Sequence, residues 1–105
     1  MEAPADFELV VMMAVLQLPG KAYAVSLCRE IEARAEVEVS YGSLYVALER
    51  LERKNWLRST TGTATSNRGG SPKRLYYFTP EGLKAFRNAG VQVQPLLDEI
   101  ASSYQ

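Results

Sequence analysis

Apolar side chains recur along this chain with two different periods, one helical and one alternating. Phe7, Val10, Val11, Ala14 and Leu18 repeat at helical spacing, and Met12, Met13 and Leu16 widen the stripe. The helix this predicts is too apolar to keep one face in solvent. It is expected to lie between its own domain and a second surface, such as another subunit. Asp6 is placed to cap its start, and Pro19-Gly20 closes it. A second helix is expected from about Ala22 to Ala35. Ala24, Leu27, Cys28, Ile31 and Ala35 line one side of it, with Arg29, Glu30, Glu32 and Arg34 mostly elsewhere. The period then shortens, as Val37 and Val39 alternate with Glu36 and Glu38 in an extended link ending at Ser40, a favourable N-cap. A third helix is expected over about Tyr41 to Lys54. Leu44, Leu48 and Leu51 make its core stripe beside Ala47. The opposite side carries Gly42, Val46, Glu49 and Arg53, with Tyr45 and Arg50 on the flanks.

Asn55 tolerates the left-handed conformation that stops a helix, and Trp56-Leu57 are expected to anchor the chain in the core. Two β-prone stretches follow, LRSTTGTA and LYYFT, around the loop TSNRGGSPKR; they read as a hairpin with a long tip carrying Arg68, Lys73 and Arg74. Thr79-Pro80-Glu81 is a helix start, with a Thr cap, Pro at the first helical position and an acid in the first turn. That helix includes Leu83 and Phe86. Gly90 and Pro95 interrupt its continuation, and Leu96, Leu97 and Ile100 suggest a short final apolar helix.

Composition narrows the function. A chain of 105 residues makes one domain, or one domain with an appended segment, and a core of this size gains from pairing with a second copy. There is no histidine and one cysteine, so histidine-based catalysis, an intrachain disulfide and a zinc-type ligand cluster are all excluded. Cys28 reads as a small core residue. No metal or cofactor is expected. The longest apolar run, Leu9 to Leu16, is too short to cross a bilayer, and no secretion signal is visible, so a cytoplasmic protein with no membrane partner is expected. Net charge is zero, yet unevenly spread. Residues 1–40 carry a balance of −4, residues 41–88 one of +6, and residues 89–105 one of −2. The basic central half points to an anionic partner, although a solvated face with none gives the same charge pattern.

The order helix, helix, helix, hairpin, helix, with a short link between the second and third helices, is the layout of a winged helix-turn-helix: mainly α with a small β-hairpin (α+β). In that layout the outward side of the third helix enters the major groove of double-stranded DNA, and the hairpin lies along phosphates or the minor groove. Ser40 opens the helix. Tyr41, Ser43 and Tyr45 can hydrogen-bond to phosphates or base edges, Gly42 admits close backbone approach, and Val46 suits a thymine methyl. Arg50, Arg53 and Lys54 could reach phosphates, and the tip cations Arg68, Lys73 and Arg74 suit the same role. Plainer readings exist: Tyr45 packing on the hairpin is an equal alternative, and Arg50 and Arg53 can pair with Glu49 and Glu52.

YGSLYVALERLERKNWL followed by PKRLYYFTPEGLKAF resembles the PadR family of bacterial transcriptional regulators. Gly42, Ser43, Leu44, Tyr45, Ala47, Leu48, Leu51 and Glu52 match the family's recognition-helix pattern. Lys73, Arg74, Tyr76, Tyr77 and Thr79 to Gly82 match its wing end and T-P-E-G. The resemblance covers about residues 7–87. It implies a homodimeric repressor acting on an inverted repeat, with residues 1–88 as the DNA-binding domain, the recognition helix over 41–54 and the wing over 59–78. Residues 89–105 would be a short C-terminal dimerisation helix, and the dimer contacts would come from Phe7, Val10, Val11, Met13, Leu96, Leu97, Ile100 and Tyr104. The sequence departs from the family pattern at Ala22, Val46 and Asn55. Some family members bind flat aromatic compounds between tryptophan-bearing C-terminal helices. The C-terminal segment here has no tryptophan, so that mode does not carry over, and a small-molecule effector is left as an open expectation. A winged-helix module that binds protein instead of DNA is the alternative. An enzyme is not expected, since carboxylates and tyrosines are the only acid–base groups and Gly69-Gly70 lies in a hairpin, not before a helix.

Overall fold

The computed structural model describes residues 4–36, 38–61 and 73–90, together with positions 95 and 98. The elements are α1 (Asp6–Gln17), α2 (Ala24–Ala35), α3 (Tyr41–Arg53), β1 (Leu57–Thr61), β2 (Arg74–Phe78) and α4 (Pro80–Asn88).

α1 is the central element. Every side chain from Leu9 to Val15 is buried within the single chain. Val10, Val11 and Met13, expected at a dimer contact, are therefore core residues: α2, α3 and β2 pack around α1 and take up its apolar surface. Phe7 is half-buried and packs against the core. Asp6 is not the cap. Ala5 holds that position, and its N–H donates to Glu8 Oε1 at 2.9 Å, so the glutamate one turn on satisfies the helix start. Asp6 instead supplies first-turn negative charge.

α2 begins two residues later than its apolar pattern suggests. The Ala22 carbonyl accepts from the Tyr76 N–H at 2.8 Å, which draws this segment alongside β2 and keeps it out of the helix. Ser26 closes the turn instead: its hydroxyl accepts from the Tyr23 N–H at 3.0 Å and donates to the Lys21 carbonyl at 2.5 Å. α2 ends at Glu36, which is left-handed at φ 59°. The link to α3 is then tied back to α2 at Val39. The Glu32 carboxylate accepts from its N–H at 2.8 Å, and the Cys28 thiol donates to its carbonyl at 3.5 Å. Burial, then the neighbouring Glu32, pushes the Cys28 thiol pKa up, so it stays protonated and acts as a packed donor.

Ser40 caps α3 by accepting from the Ser43 N–H at 3.1 Å, and Leu44, Ala47, Leu48 and Leu51 turn into the core. Asn55 takes φ 63° and stops the helix, and Trp56 and Leu57 are buried beyond it. β1 and β2 pair antiparallel with Leu57 opposite Phe78 and Thr61 opposite Arg74. Thr79 caps α4 as its sequence suggests. The expected final helix, with Leu96, Leu97, Ile100 and Tyr104, and the hairpin-tip Arg68 lie outside the described residues.

Candidate nucleic-acid interface

The outward side of α3 carries large side chains that stand about half in solvent. Tyr41, Tyr45 and Val46 are 49%, 52% and 51% exposed. A side chain added at Gly42 would meet nothing nearer than the Ser40 hydroxyl at 4.0 Å. Glycine in a helix costs up to about 1 kcal/mol against alanine, so the fold alone has no steric reason for it here. The Ser40 hydroxyl donates to Ser43 Oγ at 2.9 Å, which leaves the Ser43 O–H to donate outward. Arg50 and Arg53 are both exposed. Arg53 already pairs with Glu49 at 2.6 Å, but both partners are mostly in solvent, so the pair is weak and exchangeable. Among the described residues Glu52 pairs with no arginine; it accepts from the Ser59 hydroxyl at 2.9 Å and ties α3 to β1.

Lys54 is corrected. Its ammonium lies 3.0 and 3.3 Å from the two Glu8 carboxylate oxygens and 5.0 Å from the centre of the Trp56 ring. Glu8 is only 3% exposed, so this cation answers a buried carboxylate instead of a phosphate. The helical wheel shows Lys54 beyond the last turn of an exposed face. It cannot show that the start of α1 passes there.

The wing side converges on the same face. A cleft of about 360 Å³ opens between three elements. Tyr23, Ala24 and Val25 come from the start of α2 and Tyr45 from α3, while Lys73, Arg74 and Tyr76 come from β2 and the residue before it. The Lys73 ammonium sits 4.2 Å above the Tyr23 ring. Burial, then Glu52, raises the Tyr76 phenol pKa, and the Arg74 guanidinium beside it partly offsets this. The phenol stays a donor throughout the neutral range. Tyr45 borders the wing and remains half in solvent. Tyr23 was not among the expected contacts. Only the non-local pairing of β2 with Ala22 brings it here, and no periodicity in the sequence signals that.

Among the described residues no cluster of carboxylates or thiolates could hold a metal ion, and no helix is long and apolar enough to cross a membrane.

Three helices followed by an antiparallel hairpin, with an exposed third helix and cations at the base of the hairpin, define a winged helix-turn-helix. Residues 12–88 match the model of the transcriptional regulator PadR-like family, and the chain belongs to that family. Solved structures agree. A PadR family transcriptional regulator from Eggerthella lenta is 27% identical with a TM-score of 0.63, over 92% of this chain and 82% of that one. A PadR-like transcription factor from Bacteroides fragilis shares the fold at 22% identity and a TM-score of 0.65, over 92% and 90%. A PadR family regulator from Clostridium difficile does so at 23% and 0.62, over 91% and 96%. No curated protein sequence matches.

Proposed function

We propose that this chain is a sequence-specific DNA-binding repressor that acts as a homodimer on an inverted repeat. α3 enters the major groove, and the wing follows the phosphates or minor groove. The observation that carries this reading is the outward face of α3. Tyr41, Tyr45 and Val46 stand exposed there around a glycine whose missing side chain the fold does not require. Exposed aromatic and apolar groups beside a bare stretch of helix backbone fit a surface that presents phosphates, base edges and thymine methyls. Ser40, Ser43, Arg50 and, after release from Glu49, Arg53 add donors to it; Lys73 and Arg74 add charge from the wing. Membership in a family of transcriptional regulators supports the same reading.

Twofold pairing would set two α3 helices about one helical turn apart, or a multiple of it, on the duplex. We place the dimer contacts on Phe7 and the segment 89–105, since Val10, Val11 and Met13 are occupied within one chain. A small-molecule effector would act by favouring one spacing of the two α3 helices over another.

Gly42→Ala tests the face directly. The variant is expected to keep or slightly raise thermal stability, because the added methyl meets open space and alanine favours helix. Its affinity for a duplex recovered by in vitro selection is expected to fall about tenfold, or about 1.4 kcal/mol. Unchanged affinity in fluorescence anisotropy would mean that DNA does not approach the helix at Gly42.

A further inference from the structure

We propose that the cleft between α2, α3 and β2 seats a backbone phosphate of duplex DNA, and that Tyr23 is a positioning residue that holds Lys73 at its mouth. This rests on the reading of the chain as a DNA-binding regulator and adds a site and a residue to it.

The cleft joins features that a phosphate needs. Lys73 and Arg74 stand side by side on its rim, both exposed. Two phenols, Tyr45 from α3 and Tyr76 from β2, add neutral donors to its lining. Ala24 and Val25 complete the lining from the start of α2. Phosphodiester oxygens accept from ammonium, guanidinium and hydroxyl groups alike, and this set offers all three.

Tyr23 gives the cleft its order. Lysine carries a flexible four-carbon stem and, in solvent, loses freedom whenever it is fixed on a ligand. Here its ammonium already lies 4.2 Å above the Tyr23 ring, and the bond from the Tyr23 N–H to Ser26 fixes the backbone from which that ring projects. The ring face attracts the cation without neutralising it, unlike the carboxylate that answers Lys54. Lys73 therefore keeps its full charge for a phosphate while its position is restricted beforehand. A phosphate contact of this kind is indifferent to sequence but sets how the protein sits on the duplex.

The test is a salt titration of duplex binding by the full chain, comparing wild type with Tyr23→Leu, Tyr23→Phe, Lys73→Gln and the Tyr23→Leu/Lys73→Gln pair. Lys73→Gln is expected to weaken binding about 3- to 10-fold and to reduce the slope of log affinity against log salt by about one unit. Tyr23→Leu is expected to weaken binding by a smaller factor, about 2- to 5-fold, because the charge remains but its position is lost. Tyr23→Phe keeps the ring and is expected to bind like wild type. In the Lys73→Gln background, Tyr23→Leu is expected to add nothing; a general structural role for Tyr23 would add its loss in both backgrounds. An unchanged slope in Lys73→Gln overturns the phosphate seat, whether or not Tyr23→Leu folds. Equal losses in Tyr23→Phe and Tyr23→Leu overturn the positioning role, since the hydroxyl and not the ring would then matter. Failure of the wild-type chain to bind any duplex at low salt overturns the DNA-binding reading itself, and this inference with it.

Discussion

Replacing Lys54 with methionine is expected to destabilise the protein by about 3–5 kcal/mol in urea denaturation. The substitution keeps the length and apolar stem of the side chain and removes the charge alone. Glu8, buried at the start of α1, would then keep, among the described residues, the Ala5 N–H as its partner. An ionised carboxylate left without its cation in a water-poor site is among the most costly single changes, and small domains have total stabilities of only about 5–15 kcal/mol. The reverse change, Glu8→Gln, is expected to cost clearly less. The Lys54 side chain is 20% exposed against 4% for Glu8, so the ammonium can turn towards water as the carboxylate cannot. The Glu8→Gln/Lys54→Met double variant should regain most of the loss, because no buried charge remains. Equal costs for the two single variants would show that the pair is not carrying a buried charge.

Gly82→Ala is the second large effect, expected at about 3 kcal/mol, at the upper end for an overpacked site. A methyl at this position would lie 1.9 Å from the Trp56 carbonyl oxygen and 2.7 Å from its carbonyl carbon. Those are backbone atoms, so no side chain can swing away. The junction is also crowded with bonds. The Thr79 N–H donates to the Trp56 carbonyl at 3.1 Å, the Thr79 hydroxyl donates to the Asn55 carbonyl at 2.6 Å, and the Gly82 N–H donates to that hydroxyl at 2.9 Å. Moving α4 outward to admit the methyl would break several of them at once. Alanine normally favours a helix over glycine, so a stabilised Gly82→Ala would contradict the packing directly. Gly42→Ala is its counterpart, the same substitution with opposite expectations: at Gly82 the chain leaves no room for a methyl, and at Gly42 it does.

Local chemistry made most of the fold readable. Ser40 and Thr79 cap the helices their sequences announce, and Asn55 takes the left-handed conformation expected of it. Leu44, Leu48 and Leu51 turn inward as their spacing requires. Each of these depends on neighbours within a turn or two. The misreadings share the opposite property. Ala22 looks helical by its neighbours and is claimed by Tyr76, 54 positions along the chain. Lys54 extends an exposed basic face and is claimed by Glu8. The apolar girth of α1 is consistent with a subunit contact, but three elements of the same chain cover it. Tyr23 joins the cleft through the same β2 pairing that displaces Ala22. Spacing along the sequence records which face a side chain takes, not which distant segment arrives there.

The central claim is that the outward face of α3 reads DNA sequence. Selection of bound duplexes from a random pool at moderate salt tests it most directly. Recovery of an inverted repeat with half-sites about one helical turn apart is expected. Recovery of no motif, with only salt-sensitive binding shared by all sequences, would contradict it.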